Sequence, residues 1–167
     1  MSKTSIFLTL SGYQLTWLGC VFGGKTFNEP LLGVYIGCLY LILFFYFNEN
    51  KIKFLKLSLL ISIPGYLFDS LMVYFSVYEF NSSNLIGTIP VWMLVLWPSF
   101  STLFDKILVI FKKYSLFGIL LSSFSGTATY FLGESIDVIS INNYYLFFIN
   151  MVIFWALLMI YYLKFVL

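Results

Sequence analysis

An acidic residue inside a long apolar run is a natural place to look for chemistry, and Asp69 sits within the run 54–75. An ionised side chain at the centre of a membrane-crossing helix costs ~2.5–3.5 kcal/mol on insertion scales, so it must face protein or water. Ser62, Tyr66 and Asp69 recur at helical spacing just past Pro64-Gly65, a pair able to bend a helix and free a carbonyl. A second stripe, Ser123, Thr127, Tyr130 and Glu134, repeats the spacing in a later run. Facing each other, the stripes would build a polar cavity from Asp69, Tyr66, Tyr130 and Thr127, with Gln14 and Glu134 at its margin and Trp97 as its floor. Were Glu134 to approach Asp69, the two carboxyl groups would share a proton or hold a cation. The simpler alternative is that Asp69 hydrogen-bonds a neighbouring helix and Glu134 marks the water interface.

Other chemistry finds little to stand on. The chain has no His, so the usual proton shuttle and commonest transition-metal ligand are missing. Cys20 and Cys38 lack a Cys-x-x-Cys spacing or companion ligands, which reads as packing, with no metal site and no cofactor expected. Gly23-Gly24 reads as a loop turn without the strand and helix of a phosphate-binding motif. A net charge of +2 is too small for nucleic-acid binding. Carboxylate acid–base chemistry on a lipid stays open.

The elements that must position these residues are long and apolar. Of 167 residues, 61% are hydrophobic, 22% aromatic and 10% charged, against ~45–50% apolar and ~25% charged in soluble domains. That excludes a soluble globular protein. Six runs bounded by Lys, Asn, Gly or Pro lie at 6–22, 30–47, 54–75, 86–104, 115–134 and 144–166. The expected fold is all-α: one integral membrane domain, a bundle of six transmembrane helices. Lys3, Lys51, Lys53, Lys56, Lys106, Lys112, Lys113 and Lys164 fall on one side of that arrangement and Lys25 on the other. Positive charge is retained on the cytoplasmic side, so both termini are expected there and the opposite face, with Glu29, Glu79, Glu134 and Asp137, is acidic. Leu18-Gly19-Cys20 has the outline of a lipoprotein cleavage site, but Trp17 and Leu18 are too large for it, and the first run reads as a span.

Gly118, Ser122 and Gly126 repeat every four residues, and Ser125, Thr129 and Gly133 do likewise, so the fifth helix, Gly133 included, carries small faces suited to close helix packing. Residues 11–19 match 125–133 at Ser, Gly, Leu and Gly, a faint hint of a parallel repeat. In the fourth run Pro98 should kink the helix and leave a carbonyl for another helix to satisfy. Trp92 fits an interface anchor, whereas Trp97 is deep enough to line the interior. Asp105, beside Lys106, reads as a paired or solvated charge.

Gln14 with Trp17, Asp69-Ser70-Leu71, Pro90-x-Trp92 followed by Leu96-Trp97 and Phe100, and Gly126-x-x-Thr129-Tyr130-x-x-Gly133 form an ordered set. In that set the chain resembles the bacterial inner-membrane family catalogued as domain of unknown function twenty-eight seventy-eight. The resemblance covers nearly the whole chain, with the proline–tryptophan–leucine–tryptophan pattern its most specific part. Asp69 matches the family pattern. Gly126-Thr127 replaces an expected Gly-Pro, and Glu134 has no acidic counterpart. The resemblance implies a small polytopic inner-membrane protein without an assigned activity. Family members often lie beside genes for cyclopropane-type fatty-acid modification, which implies a lipid-related role. Three readings stand open: an accessory protein that binds lipid or helps modify it, a small proton- or cation-coupled transporter, and a passive partner subunit of a membrane complex.

Overall fold

The computed structural model describes residues 3–166, with the side chains of residues 5–165. Six helices follow one another: α1 Lys3–Thr26, α2 Leu32–Phe47, α3 Lys51–Tyr74, α4 Met93–Lys106, α5 Ser115–Ser135 and α6 Tyr144–Tyr161. Short strands β1 Tyr78–Phe80, β2 Leu85–Ile86 and β3 Ile89–Pro90 separate α3 from α4, and β4 Ile139–Ile141 separates α5 from α6. A 3-10 turn, Leu108–Lys112, follows α4, and a π turn, Tyr162–Val166, follows α6. Four helical segments, Ser5–Thr26, Lys51–Tyr74, Ser115–Ser135 and Tyr144–Phe165, are long and apolar enough to cross a membrane, and Leu32–Phe47 is a shorter apolar helix.

The helices carry apolar residues outward. On α3, Leu55, Leu59, Ile63, Leu67 and Leu71 lie one turn apart and all are exposed, while Asp69 on the same helix is fully buried. A helix in water inverts this arrangement. Buried polar side chains, including Thr9, Thr16, Thr102 and Thr127, satisfy themselves on backbone carbonyls of the preceding turn, as Thr16 does on Gly12 and Thr127 on Ser123.

Local sequence explains the ends. Asn50 and Asn143 cap α3 and α6, each side chain accepting from the backbone N–H three residues on. Both α3 and α5 end in a Schellman motif. Val77 N–H bonds Met72 O and Ser76 N–H bonds Val73 O, and Val138 and Asp137 repeat the pattern on Gly133 and Glu134. Ser76 and Asp137 supply the left-handed residues, at φ 53° and 59°. The two identical reversals launch β1 and β4 side by side, and they pair antiparallel with Glu79 opposite Ser140. The loops at this end thus form a small β-cap, with Tyr78 and Phe80 turned inward.

Helix direction alternates. The ends of α1 and α5 meet at the cap through the Lys25–Asp137 ion pair. At the other end Asp105 receives Lys53 at 3.2 Å and Lys106 at 2.9 Å, and Tyr162 bonds the carbonyl of Phe104. The pairing of Asp105 is the one its sequence neighbourhood predicts. Lys3 opens α1 at this lysine-rich end, and its side chain lies outside the described residues.

Two boundaries and one helix contact differ from expectation. Gly23 and Gly24 continue α1 as helix instead of forming a loop turn, because Gly23 packs on the α1–α2 connection at Glu29 and Leu32. The fourth run starts as a β2–β3 hairpin, where Pro90 lacks the N–H to continue a ladder, and α4 begins at Met93. A direct glycine-to-backbone contact forms between α1 and α2: a Cβ on Gly33 would overlap the backbone of Cys20, and Gly19 faces Gly33 in turn. Gly19-x-x-x-Gly23 and Gly33-x-x-x-Gly37 carry the signal for that contact.

Candidate functional site

Asp69 has no solvent exposure and accepts three hydrogen bonds. Tyr78 Oη and Tyr130 Oη both donate to Oδ1 at 2.6 Å, and Trp97 Nε1 donates to Oδ2 at 2.8 Å. The donors come from the cap, α5 and α4, so one carboxyl group joins four elements. All three are neutral groups. Short bonds to a charged acceptor are among the strong ones, and they offset part of the cost of burying it.

Local sequence places each member. A Cβ at position 65 would overlap the Trp97 ring, so Gly65 lets the indole lie flat on α3 with its N–H at Asp69, one turn further along. Trp97 then stacks on Trp155, with ring centroids 5.6 Å apart and 25° between planes. Gly126 takes the far side of Trp155 as Gly65 takes Trp97. Two indoles are thereby held between two glycines, one on α3 and one on α5. Pro64-Gly65 serves this contact.

Tyr66 does not reach Asp69. Pro98 has no N–H and leaves the carbonyl of Leu94, four residues earlier, without its helical partner. Tyr66 Oη donates to that carbonyl at 2.9 Å. Pro98 stays inside a continuous α4, where Ser101 also bonds its carbonyl.

Beside the Asp69 knot lies a crevice of about 260 Å³ between α1 and α5, floored by α4 and backed by α6. Tyr13, Trp17 and Val21 line it from α1 at one-turn spacing, and Gly118, Ser122, Ser125, Gly126, Thr129, Tyr130 and Gly133 line it from α5. From Gly118 to Gly133 the wall is about 22 Å long. Trp17, Trp92, Trp97 and Trp155, all four tryptophans of the chain, face it. Tyr130 and Trp97 border the crevice on one side and hold Asp69 on the other. The carboxyl group therefore fixes the wall without meeting the space.

Several expectations need correction. The space is apolar, because Asp69, Tyr66, Tyr130, Trp97 and Thr127 pair with one another or with backbone. Glu134 accepts from Tyr144 Oη at 2.6 Å and does not meet Asp69. Gln14 is exposed and does not line the crevice, where Tyr13 and Trp17 stand instead. Thr127 bonds Ser123 and is buried behind the wall. Trp92 is buried against Phe80 beneath the cap, 5.8 Å between ring centroids, and is no interface anchor. The glycines of α5 admit large side chains, Gly118 receiving Phe111 and Met159 and Gly126 receiving Trp155, while Ser122 bonds the Trp155 carbonyl of α6 and Gly133 lies near Ile139. The segments 11–19 and 125–133 face the crevice with non-equivalent positions.

Sequence reasoning missed Tyr78, which the cap brings to Asp69, and Tyr13. The apolar–polar–apolar alternation of Tyr78-Glu79-Phe80 is a strand signal too short to stand out. Among the described residues no three Asp, Glu or Cys side chains gather to hold a metal ion.

The family model described as Protein of unknown function (DUF2878) matches residues 6–161, and the chain belongs to that family. No curated protein and no solved structure matches it.

Proposed function

We propose that this chain is a bacterial inner-membrane protein with six crossings, its lysine-rich end and both termini cytoplasmic, that holds a lipid acyl chain in the crevice between α1 and α5. The crevice itself carries the reading. Its lining is almost wholly apolar and aromatic, and its wall runs about 22 Å along α5, the outline of an extended chain. The exposed apolar faces of α3 and the other long helices support placement in a bilayer. At 14 residues α4 is about 21 Å long, short of the ~30 Å hydrocarbon core, and the buried β3 extends it within protein.

In this reading the Asp69 knot is a positioning device. It keeps Trp97 and Tyr130 upright, so that the crevice does not collapse when empty. A role in lipid modification by a partner enzyme follows the same logic, with the chain presented along α5. For proton or cation carriage Asp69 would have to meet water, and its complete burial lends that reading no support.

The test is lipid co-purification. Thr129 is exposed and lines the crevice, so Thr129→Phe fills it without invading the core. Mass spectrometry of purified protein should find the tightly held lipid of the wild type lost in this variant. Equal lipid content in two variants of equal thermal stability refutes the reading.

A further inference from the structure

The crevice has two unlike ends. Leu108, Phe111 and Met159 close the end near the 3-10 turn with apolar side chains, and Phe111 abuts Gly118. Lys112 follows Phe111 but borders a separate hollow with Lys164. At the cap end Val21 lies one helical turn before Lys25, and Val138 directly follows Asp137. The Lys25–Asp137 ion pair joins α1 to the α5–β4 turn just beyond these lining residues, with the Asn81 amide on Asp137 at 2.8 Å. Its side chains are 40% and 73% exposed, so water solvates both charges once they part and separating them costs little.

Resting on the acyl-chain reading above, we propose that the occupant is a zwitterionic phospholipid of the leaflet on the cap side, its phosphate on Lys25 and its ammonium on Asp137. One cation and one anion, adjacent at the mouth of an apolar slot, match a headgroup that carries one of each next to its chains. A purely anionic lipid would pair with Lys25 and leave Asp137 facing its negative charge. A neutral diacylglycerol would engage neither. The ion pair is then the resting state of the headgroup site, exchanged for the lipid's own charges on binding.

Quenching of tryptophan fluorescence by brominated acyl chains reads the site directly, because all four indoles face the crevice. Purified full-length protein in detergent micelles is titrated with dibrominated phosphatidylethanolamine, phosphatidylglycerol and diacylglycerol. Phosphatidylethanolamine should saturate at the lowest concentration, about fivefold below phosphatidylglycerol, the scale of one exposed charge pair. Lys25→Gln should weaken both phospholipids, and Asp137→Asn should weaken phosphatidylethanolamine alone. The two substitutions break the same ion pair, so structural loosening would affect all lipids alike in both, and only headgroup pairing separates them. If all three lipids bind alike, unmoved by either substitution but weakened by Thr129→Phe, the headgroup proposal is overturned and the crevice reading survives. A shift with Lys112→Gln in place of Lys25→Gln also overturns it. Quenching that never saturates, or that ignores Thr129→Phe, removes the crevice reading and this proposal with it.

Discussion

Replacing Asp69 in two ways measures how far one carboxyl group holds the bundle together. Asp69→Leu keeps the branched outline, with methyl groups bulkier than the oxygens, and leaves the hydroxyls of Tyr78 and Tyr130 and the indole N–H of Trp97 without an acceptor. An orphaned buried donor costs ~1–3 kcal/mol, and removing a buried charge returns part of its desolvation cost, so the net loss should be about 4 kcal/mol. Asp69→Asn can place Oδ1 toward Trp97, which only donates, and its amide toward the two tyrosine oxygens, which can turn to accept. Three hydrogen bonds survive with the charge assistance gone, for a loss of about 1–2 kcal/mol. The assay is thermal or denaturant unfolding in detergent, followed by near-UV signals of the stacked Trp97 and Trp155. A double-mutant cycle with Trp97→Phe should show coupling of more than ~1 kcal/mol, as expected for partners in one network. If Asp69→Leu unfolds within ~0.5 kcal/mol of wild type, the usual range for positions without special interactions, the knot ties nothing and the reasoning about the crevice wall fails.

Other outcomes follow from the same geometry. Gly65→Ala and Gly126→Ala should each cost ~1–3 kcal/mol by driving a Cβ into an indole, whereas Gly133→Ala, whose nearest neighbour would be 3.7 Å away, should be close to neutral in the same unfolding assay. Tyr66→Phe should cost ~1–3 kcal/mol by stranding the carbonyl that Pro98 frees at Leu94, and Tyr66→Phe combined with Pro98→Ala should recover much of that loss. Lys25, through its hydrogen bond and its charge, holds the Asp137 carboxyl below its ordinary range. A lowered folded pKa means that this contribution is complete above the ordinary value near 3.9 and is lost as pH falls through the folded one. An acid titration of thermal midpoints should therefore show a shallower decline below about pH 4 for Asp137→Asn than for wild type, and identical declines would refute the pairing.

How much of this was legible depended on the range of the interaction. Helix positions followed from runs of apolar residues, because a segment of that length and composition has few other ways to satisfy its backbone. The importance of Asp69 followed from its type and position, since a buried acid needs donors wherever it lies. The carbonyl freed by Pro98 was likewise a local consequence, although its partner was not. By contrast, the start of α4 was misplaced by seven residues because a short hairpin and a helix look alike in apolar composition. The small residues of α5 suggested helix contact, and they meet α6 through Trp155 and Met159, with Phe111 of the 3-10 turn beside them. A gap left by a missing side chain does not say what fills it.

The polar stripes show the same limit at the site. Spacing placed Tyr66 and Tyr130 on faces that Asp69 shares or opposes, but only the packed structure sent Tyr66 to Leu94 and Tyr130 to Asp69. Tyr78 entered through two chain reversals, at Ser76 and Asp137, whose pairing across some sixty residues is invisible to local pattern. The crevice is further still from the sequence. It exists because α1 and α5 both pack on the α4 and α6 side of the molecule without closing on each other. From sequence alone came the all-helical character, the family and a buried acid that had to be satisfied, since these depend on composition and on covalent neighbours. Tertiary structure decided which groups satisfy that acid and where the bundle leaves an apolar slot, because both depend on distances between segments that composition does not encode.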